Sequence, residues 1–212
     1  MNLMSSLQPV AMFALGFVAL EAAAQPTADK PDLKVGDKWE FNQTVKIVPG
    51  EEKSEPWSRR VVEIQPDGRI QVATGKDEIL SLDAMLNRID PRGPEYSVAT
   101  YKFPMKIGSE WSYSARTGEG GMLERRGSYK VVAYEPVTVP AGTFDCFRVE
   151  GQWENSTKSY SGRAREQYWY CPAIKFFAKF TFQYDQNWAN RPSRSETRLS
   201  ELTKFTPGAV AP

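Results

Sequence analysis

Between Ile174 and Tyr184 the chain alternates: Ile174, Phe176, Ala178, Phe180, Phe182 and Tyr184 are interleaved with Lys175, Lys179, Thr181 and Gln183, and Phe177 alone breaks the rhythm. Successive side chains of a strand point to opposite faces, so this pattern predicts a strand with one buried face. Turn residues punctuate the rest of the chain. Pro66-Asp67-Gly68 separates residues 60–64 from 69–72, a hairpin signal in which Pro sets φ and Gly takes positive φ. Gly118 to Gly121 links a strand beginning near Trp111 to one ending near Tyr134, and Pro140-Ala141-Gly142 turns the chain into a strand over 143–154. A polar loop is expected at 155–162, strands at 163–172 and 195–204, and a loose tail at 206–212. Residues 77–89 fit two periods. Ile79, Leu82, Leu86 and Ile89 have helical spacing, whereas Leu80, Leu82, Ala84 and Leu86 have strand spacing. The β neighbours favour a strand or an irregular crossing segment there.

One nine-residue pattern occurs twice. Leu33-Lys34-Val35-Gly36-Asp37-Lys38-Trp39-Glu40-Phe41 aligns with Met105-Lys106-Ile107-Gly108-Ser109-Glu110-Trp111-Ser112-Tyr113. In each copy Gly permits a turn, and Trp and the next-but-one aromatic share a strand face. The echo predicts two related halves, about 33–100 and 105–205. The expected fold is all-β: a single domain over 25–205 of about eight to ten mostly antiparallel, meandering strands, barrel-like or a sandwich.

The first residues set the compartment. Val10 to Leu20 is an unbroken apolar run, followed by Glu21 and Ala22-Ala23-Ala24. An apolar stretch ending in small residues at A-x-A spacing reads as a signal peptide, with cleavage expected after Ala24. The run is too short to span a bilayer, and its flank lacks the usual basic residues. Loss of 1–24 removes one acid, Glu21, and no base, which leaves 27 basic against 25 acidic side chains and a net charge of +2. That near-neutrality argues against a nucleic-acid partner. The arginine pairs Arg59-Arg60 and Arg125-Arg126 are short and flanked by β-prone residues, and solvated strand or turn positions are expected for them.

Export changes the reading of the two cysteines, Cys146 and Cys171. If the strands either side of 155–162 pair with opposed numbers summing to 317, Cys146 faces Cys171. Arg148 then stands beside Trp169 as a cation–π pair, and Glu154 beside Arg163. Phe147 and Val149 fall opposite Tyr170 and Tyr168 on the other face. A one-residue slip would destroy this sorting. A structural disulfide is therefore expected in preference to packed free thiols or a redox pair, and C-x-x-C spacing is absent.

Candidate chemistry is sparse. The chain has no histidine, which excludes Ser-His-Asp and Cys-His catalysis and His-based zinc motifs. No phosphate loop of Walker or dinucleotide type occurs. No catalytic residue, metal ligand or cofactor site is expected. Of the six tryptophans, Trp39 and Trp111 read as core anchors, whereas Trp57 and Trp188 stand in polar stretches.

Phe103-Pro104-Met105-Lys106-Ile107-Gly108-Ser109-Glu110-Trp111, then Val139-Pro140-Ala141-Gly142-Thr143-Phe144-Asp145-Cys146, then Tyr168-Trp169-Tyr170-Cys171-Pro172 resemble uncharacterised families of exported bacterial β proteins. Those families carry F-P-L-x-x-G-x-x-W, P-A-G-T-F-x-C/A and W-Y-x-P in that order. The resemblance covers roughly residues 100–185 and implies an envelope β-sheet domain with no established activity. The disulfide is not part of it and rests on the register.

The expectation from sequence is a non-enzymatic periplasmic or secreted protein without a transmembrane segment. It would bind a small apolar ligand or an envelope partner, with Trp57, Trp188, Phe147, Tyr168 and Tyr170 as candidate contacts. Two alternatives stand beside it: a glycan-binding surface on Trp57 and Trp188, and a carboxylate-dependent hydrolase.

Overall fold

The structure is a computed structural model and describes residues 25–75 and 78–209 of the 212-residue chain. The signal peptide expected over 1–24 lies outside the described residues, as do Asp77 and the last three residues of the expected tail. Short strands β1 (Thr27–Ala28) and β6 (Met105–Lys106) pair with each other. The remaining strands are β2 (Lys38–Val48), β3 (Glu52–Ile64), β4 (Ile70–Thr74), β5 (Ile79–Leu82), β7 (Glu110–Thr117), β8 (Leu123–Val139), β9 (Gly142–Ser156), β10 (Tyr160–Cys171), β11 (Phe176–Trp188) and β12 (Arg191–Thr206). Among the described residues no helix is long and apolar enough to cross a membrane.

These ten strands form one antiparallel sheet in the order β5-β4-β3-β2-β12-β11-β10-β9-β8-β7. Two meanders, β2–β5 and β7–β12, are joined where β2 pairs with β12. The fold is all-β and sandwich-like. It is not a closed barrel, because β5 and β7 are both edges. The sheet is nonetheless strongly curled. In a flat sheet Leu82 of β5 and Phe177 of β11, five strands apart, would be separated by roughly 24 Å at about 4.8 Å per strand. Instead they line one cavity.

Residues 83–109 cross from one edge to the other through the inside of the curl. Tyr101 packs on Tyr168 with ring centroids 4.9 Å apart, and Phe103 on Tyr170 at 5.1 Å. Backbone carbonyls of the crossing segment accept from inner-face side chains: Ala99 O from Trp111 Nε1 at 2.8 Å and Thr100 O from the Tyr168 hydroxyl at 2.7 Å. An irregular segment can run inside a sheet only if its backbone groups find partners, and these side chains supply them. Within the ambiguous stretch, the described residues 78–89 contain strand β5 followed by a turn in which Leu86 is buried at φ 69°.

The repeated pattern builds the same turn twice. Gly36 and Gly108 have φ of 94° and 87°. Gly36 N–H donates to Val61 O, and Gly108 N–H donates to Val131 O. Val61 N–H returns to Asp37 O as Val131 N–H returns to Ser109 O, and a β-bulge follows each valine. The residue after the glycine, Asp37 in one copy and Ser109 in the other, gives the two turns different surroundings. Asp37 is fully buried, accepts from the Lys34 and Gly208 N–H groups at 2.8 Å each, and pairs with Lys175 Nζ at 3.0 Å. The chain end expected to be loose from Thr206 is thus held at Gly208, and Thr206 itself closes β12.

The β9–β10 register is the one expected, with Tyr170 opposite Phe147 and Arg163 opposite Glu154, and Cys146 is disulfide-bonded to Cys171. Three details differ. The polar loop is only 157–159, because pairing continues outward to Ser156 and Ser161. Arg148 does not stack on Trp169; it pairs with Glu135 at 3.2 Å and Glu150 at 2.7 Å, and Lys179 sits over the indole instead. A carboxylate within ion-pair distance outcompetes a ring face for a half-exposed guanidinium. Finally, a register shift opposite Trp169 and Tyr170 lets both Phe176 and Phe177 turn inward, which accounts for the break in alternation.

Candidate functional site

Period-2 geometry splits each arginine pair that sequence reading had placed in solvent. Arg60 and Arg126 are exposed, while Arg59 and Arg125 turn to the inner face. The signal was present in the chain: Trp57-x-Arg59-x-Val61 sets the charge between two apolar residues at strand spacing.

Arg125 belongs to a buried polar cluster in which its own Nε, the Tyr113 hydroxyl and Trp153 Nε1 have no hydrogen-bond partner among the described residues. The Arg125 guanidinium lies 3.8 Å from the Trp153 ring centroid and 4.0 Å from Glu166, to which the Tyr129 hydroxyl also donates. Burial pushes the Glu166 carboxyl above its usual range, against the lowering effect of Tyr129 and Arg125. Burial likewise raises Tyr113 to about 12. The cluster is covered by aromatic rings lying over glycines: a Cβ on Gly127 would stand 2.7 Å from the Tyr113 ring. Glu166 is therefore a structural carboxylate shut away from any cleft.

Arg59 has a different setting. It lines a cavity of about 360 Å³ between the inner face of the sheet and the crossing segment. Trp57 from β3, Leu80 and Leu82 from β5, Phe177 and Phe180 from β11, and Tyr101 from the crossing segment make its apolar wall. Arg88 and Arg198 also reach it, each beside its own carboxylate: Arg88 is 3.8 Å from Glu78, and Arg198 pairs with Glu196. Arg59 has no ion pair and no side-chain hydrogen bond among the described residues. Its guanidinium lies 5.5 Å from the Trp57 ring centroid and 5.3 Å from that of Phe176. Trp57 Nε1 is buried without a hydrogen-bond partner.

The candidate contacts read from sequence divide sharply. Trp57 is in the cavity wall, stacked on Phe41 with centroids 4.4 Å apart. Phe147, Tyr168 and Tyr170 are at most 1% exposed and belong to the core under the crossing segment. Trp188 sits at the far end of β11 against Tyr160. Trp57 is level with residue 178 of β11 through the Phe41–Leu202 and Glu201–Lys179 pairs. The two indoles are therefore roughly 30 Å apart at about 3.3 Å per residue, too far to form one glycan platform. Sequence reading missed Arg59, the β5 leucines and Tyr101 as cavity residues, because which inner-face positions stay unfilled depends on the curl.

A second, wider concavity of about 990 Å³ lies on the outer face of β7–β11. It is open to solvent and carries Arg126, Arg163, Arg165, Glu154 and Asp185 around Trp153, with Arg163 3.7 Å from Glu154.

No family model matches the chain, and no curated protein matches it. Among solved structures, the chain is similar to a candidate exported protein with a YmcC-like fold from Bacteroides fragilis, with 17% identity over 84% of this chain and 99% of that one and a TM-score of 0.41. It is similar to a candidate lipoprotein from Parabacteroides distasonis, with 14% identity over 86% and 100% and a TM-score of 0.42. The hypothetical lipoprotein YmcC of Escherichia coli shows 10% identity over 80% and 85%, with a TM-score of 0.38. Likeness at this level says nothing of what this chain binds.

Proposed function

We propose that this is a non-enzymatic binding protein of the bacterial periplasm or exterior, and that its ligand is a small, mostly apolar molecule held between sheet and crossing segment. The observation that carries this reading is the cavity itself. It is walled by Trp57, Leu82, Tyr101 and Phe177, is open at its mouth, and lies beside a core of large buried side chains. Its volume falls at the small end of the range typical of ligand pockets, about 300–1,000 Å³. The expected leader supports placement outside the cytoplasm, as does a disulfide, a bond rare in reducing compartments. Trp57 is the contact proposed to lie against the ligand.

Protein expressed with its own leader and recovered from a bacterial periplasm should carry a co-purifying small molecule in native mass spectra. The stripped protein should bind the neutral fluorophore N-phenylnaphthylamine. Thr100 also lines the cavity, and Thr100→Trp should fill it, weakening fluorophore binding about tenfold or more for the loss of roughly 1.4 kcal/mol of contact. The disulfide and thermal midpoint report that the variant is folded. Wild-type protein that carries no adduct and binds no fluorophore would end this reading.

A further inference from the structure

A buried cation is costly unless something compensates it. Arg125 has Glu166 and Lys175 has Asp37. Arg59 turns inward beside the same aromatic core, and among the described residues it has only ring faces. The fold thus supplies a carboxylate to Arg125 and to Lys175, and none to Arg59 at the wall of the cavity.

We propose that the cavity takes an anionic amphiphile, an apolar chain or ring system ending in a carboxylate or phosphate, with Arg59 as the residue that receives the anion. This rests on the cavity being a ligand site. The apolar wall and the unpaired guanidinium line the same half-open cavity, so one ligand seated there meets both. A neutral apolar ligand would displace water from Arg59 and give nothing back. A cationic one would meet Arg59, Arg88 and Arg198 together. An anion supplies the missing charge, and the planar guanidinium donates two parallel N–H groups to two of its oxygens. Burial presses the Arg59 pKa down, with Arg88 adding to the effect and Tyr101 and Glu78 opposing it. Size narrows the ligand further. At roughly 30 Å³ per water-sized group, about 360 Å³ holds on the order of a dozen non-hydrogen atoms. That suits a medium-length acyl chain and not a whole two-chain lipid.

The test uses the mature chain with its disulfide intact and four probes of one chain length: decanoate, decyl phosphate, decanol and decyltrimethylammonium. Displacement of N-phenylnaphthylamine is followed below each probe's micelle threshold, at a pH where the acid is ionised. Wild type should bind decanoate or decyl phosphate about tenfold to a hundredfold tighter than decanol, as a charged hydrogen bond implies, and the cation least. Which anion wins distinguishes a fatty acid from a phosphate ester. Arg59→Met should bring the anion down to the affinity of decanol while still binding the fluorophore, which shows that the cavity has survived. Arg59→Lys should retain part of the preference, since it keeps the charge and loses the fork. Equal affinity of wild type for decanoate and decanol, or an anion preference untouched by Arg59→Met, overturns the inference and leaves the apolar-ligand reading standing. Failure of wild type to bind fluorophore or any probe removes both.

Discussion

At the scale of single residues, small side chains under large rings set the inner surface. Gly151 lies beneath Tyr129 and beside Glu166; a Cβ there would overlap Tyr129 Cε1 and stand 2.9 Å from Glu166 Cγ. Because Tyr129 is itself wedged against Trp111 and Tyr168, with centroids 5.5 and 6.2 Å away, it has nowhere to move. Gly151→Ala should therefore destabilise the protein by about 1–3 kcal/mol, the usual cost of overpacking a tight core, read as a lower urea midpoint at unchanged slope. Gly108→Ala is the control. No atom lies within 4 Å of its Cβ site, so only the positive φ of 87° is paid for, about 1 kcal/mol. Equal losses at the two positions would refute the packing account. At this scale the chain could be read for residue type and strand parity. Which glycine lies under which ring could not be read, because the ring arrives from a neighbouring strand.

At the scale of elements, the β9–β10 hairpin was the most legible part of the molecule. The cysteine spacing, the Glu154–Arg163 pair and the sorting of aromatics onto one side each require the same register, and the strands adopt it. Local agreement of that kind leaves a strand little choice. Cys146→Ala with Cys171→Ala opens a covalent loop of sequence separation 25 and should lower stability by about 3 kcal/mol in the chain-entropy picture. Chemical denaturation of the double variant against oxidised wild type measures it. A change below about 0.5 kcal/mol would mean that the hairpin's pairing alone holds the chain, with no help from the cross-link. The glycine turn was legible for a related reason, since its two copies need the same positive φ before the same Trp strand. The Arg148–Glu135 pair and the bulge beside Phe177 escaped, because each is set by a neighbouring strand outside the hairpin.

At the scale of the whole molecule, one segment of irregular chain closes one curled sheet, and phenols carry much of that closure. Burial pushes the Tyr101, Tyr129, Tyr168 and Tyr170 hydroxyls above the ordinary tyrosine value, and raises Tyr113 and Tyr184 to about 12. A folded-state pKa above the unfolded value of about 10 means that the unfolded chain loses its phenolic protons first. The resulting stabilisation is complete below about pH 10 and drains away as pH rises through the folded values. Tyrosinate absorbance should therefore show a cooperative step that coincides with loss of β-sheet circular dichroism. Smooth ionisation of every phenol with the sheet intact would contradict the packing of Tyr101 on Tyr168. The all-β class, the strand alternation, the repeated turn and the cysteine pairing are legible in the chain, because each depends on residues that are near neighbours along it or face each other across one hairpin. The place of the crossing segment, the curl of the sheet without closure, and the setting of Arg59 and Trp57 beside a cavity emerge from long-range packing. Those features come from strands five places apart being brought face to face, a distance over which local periodicity carries no information.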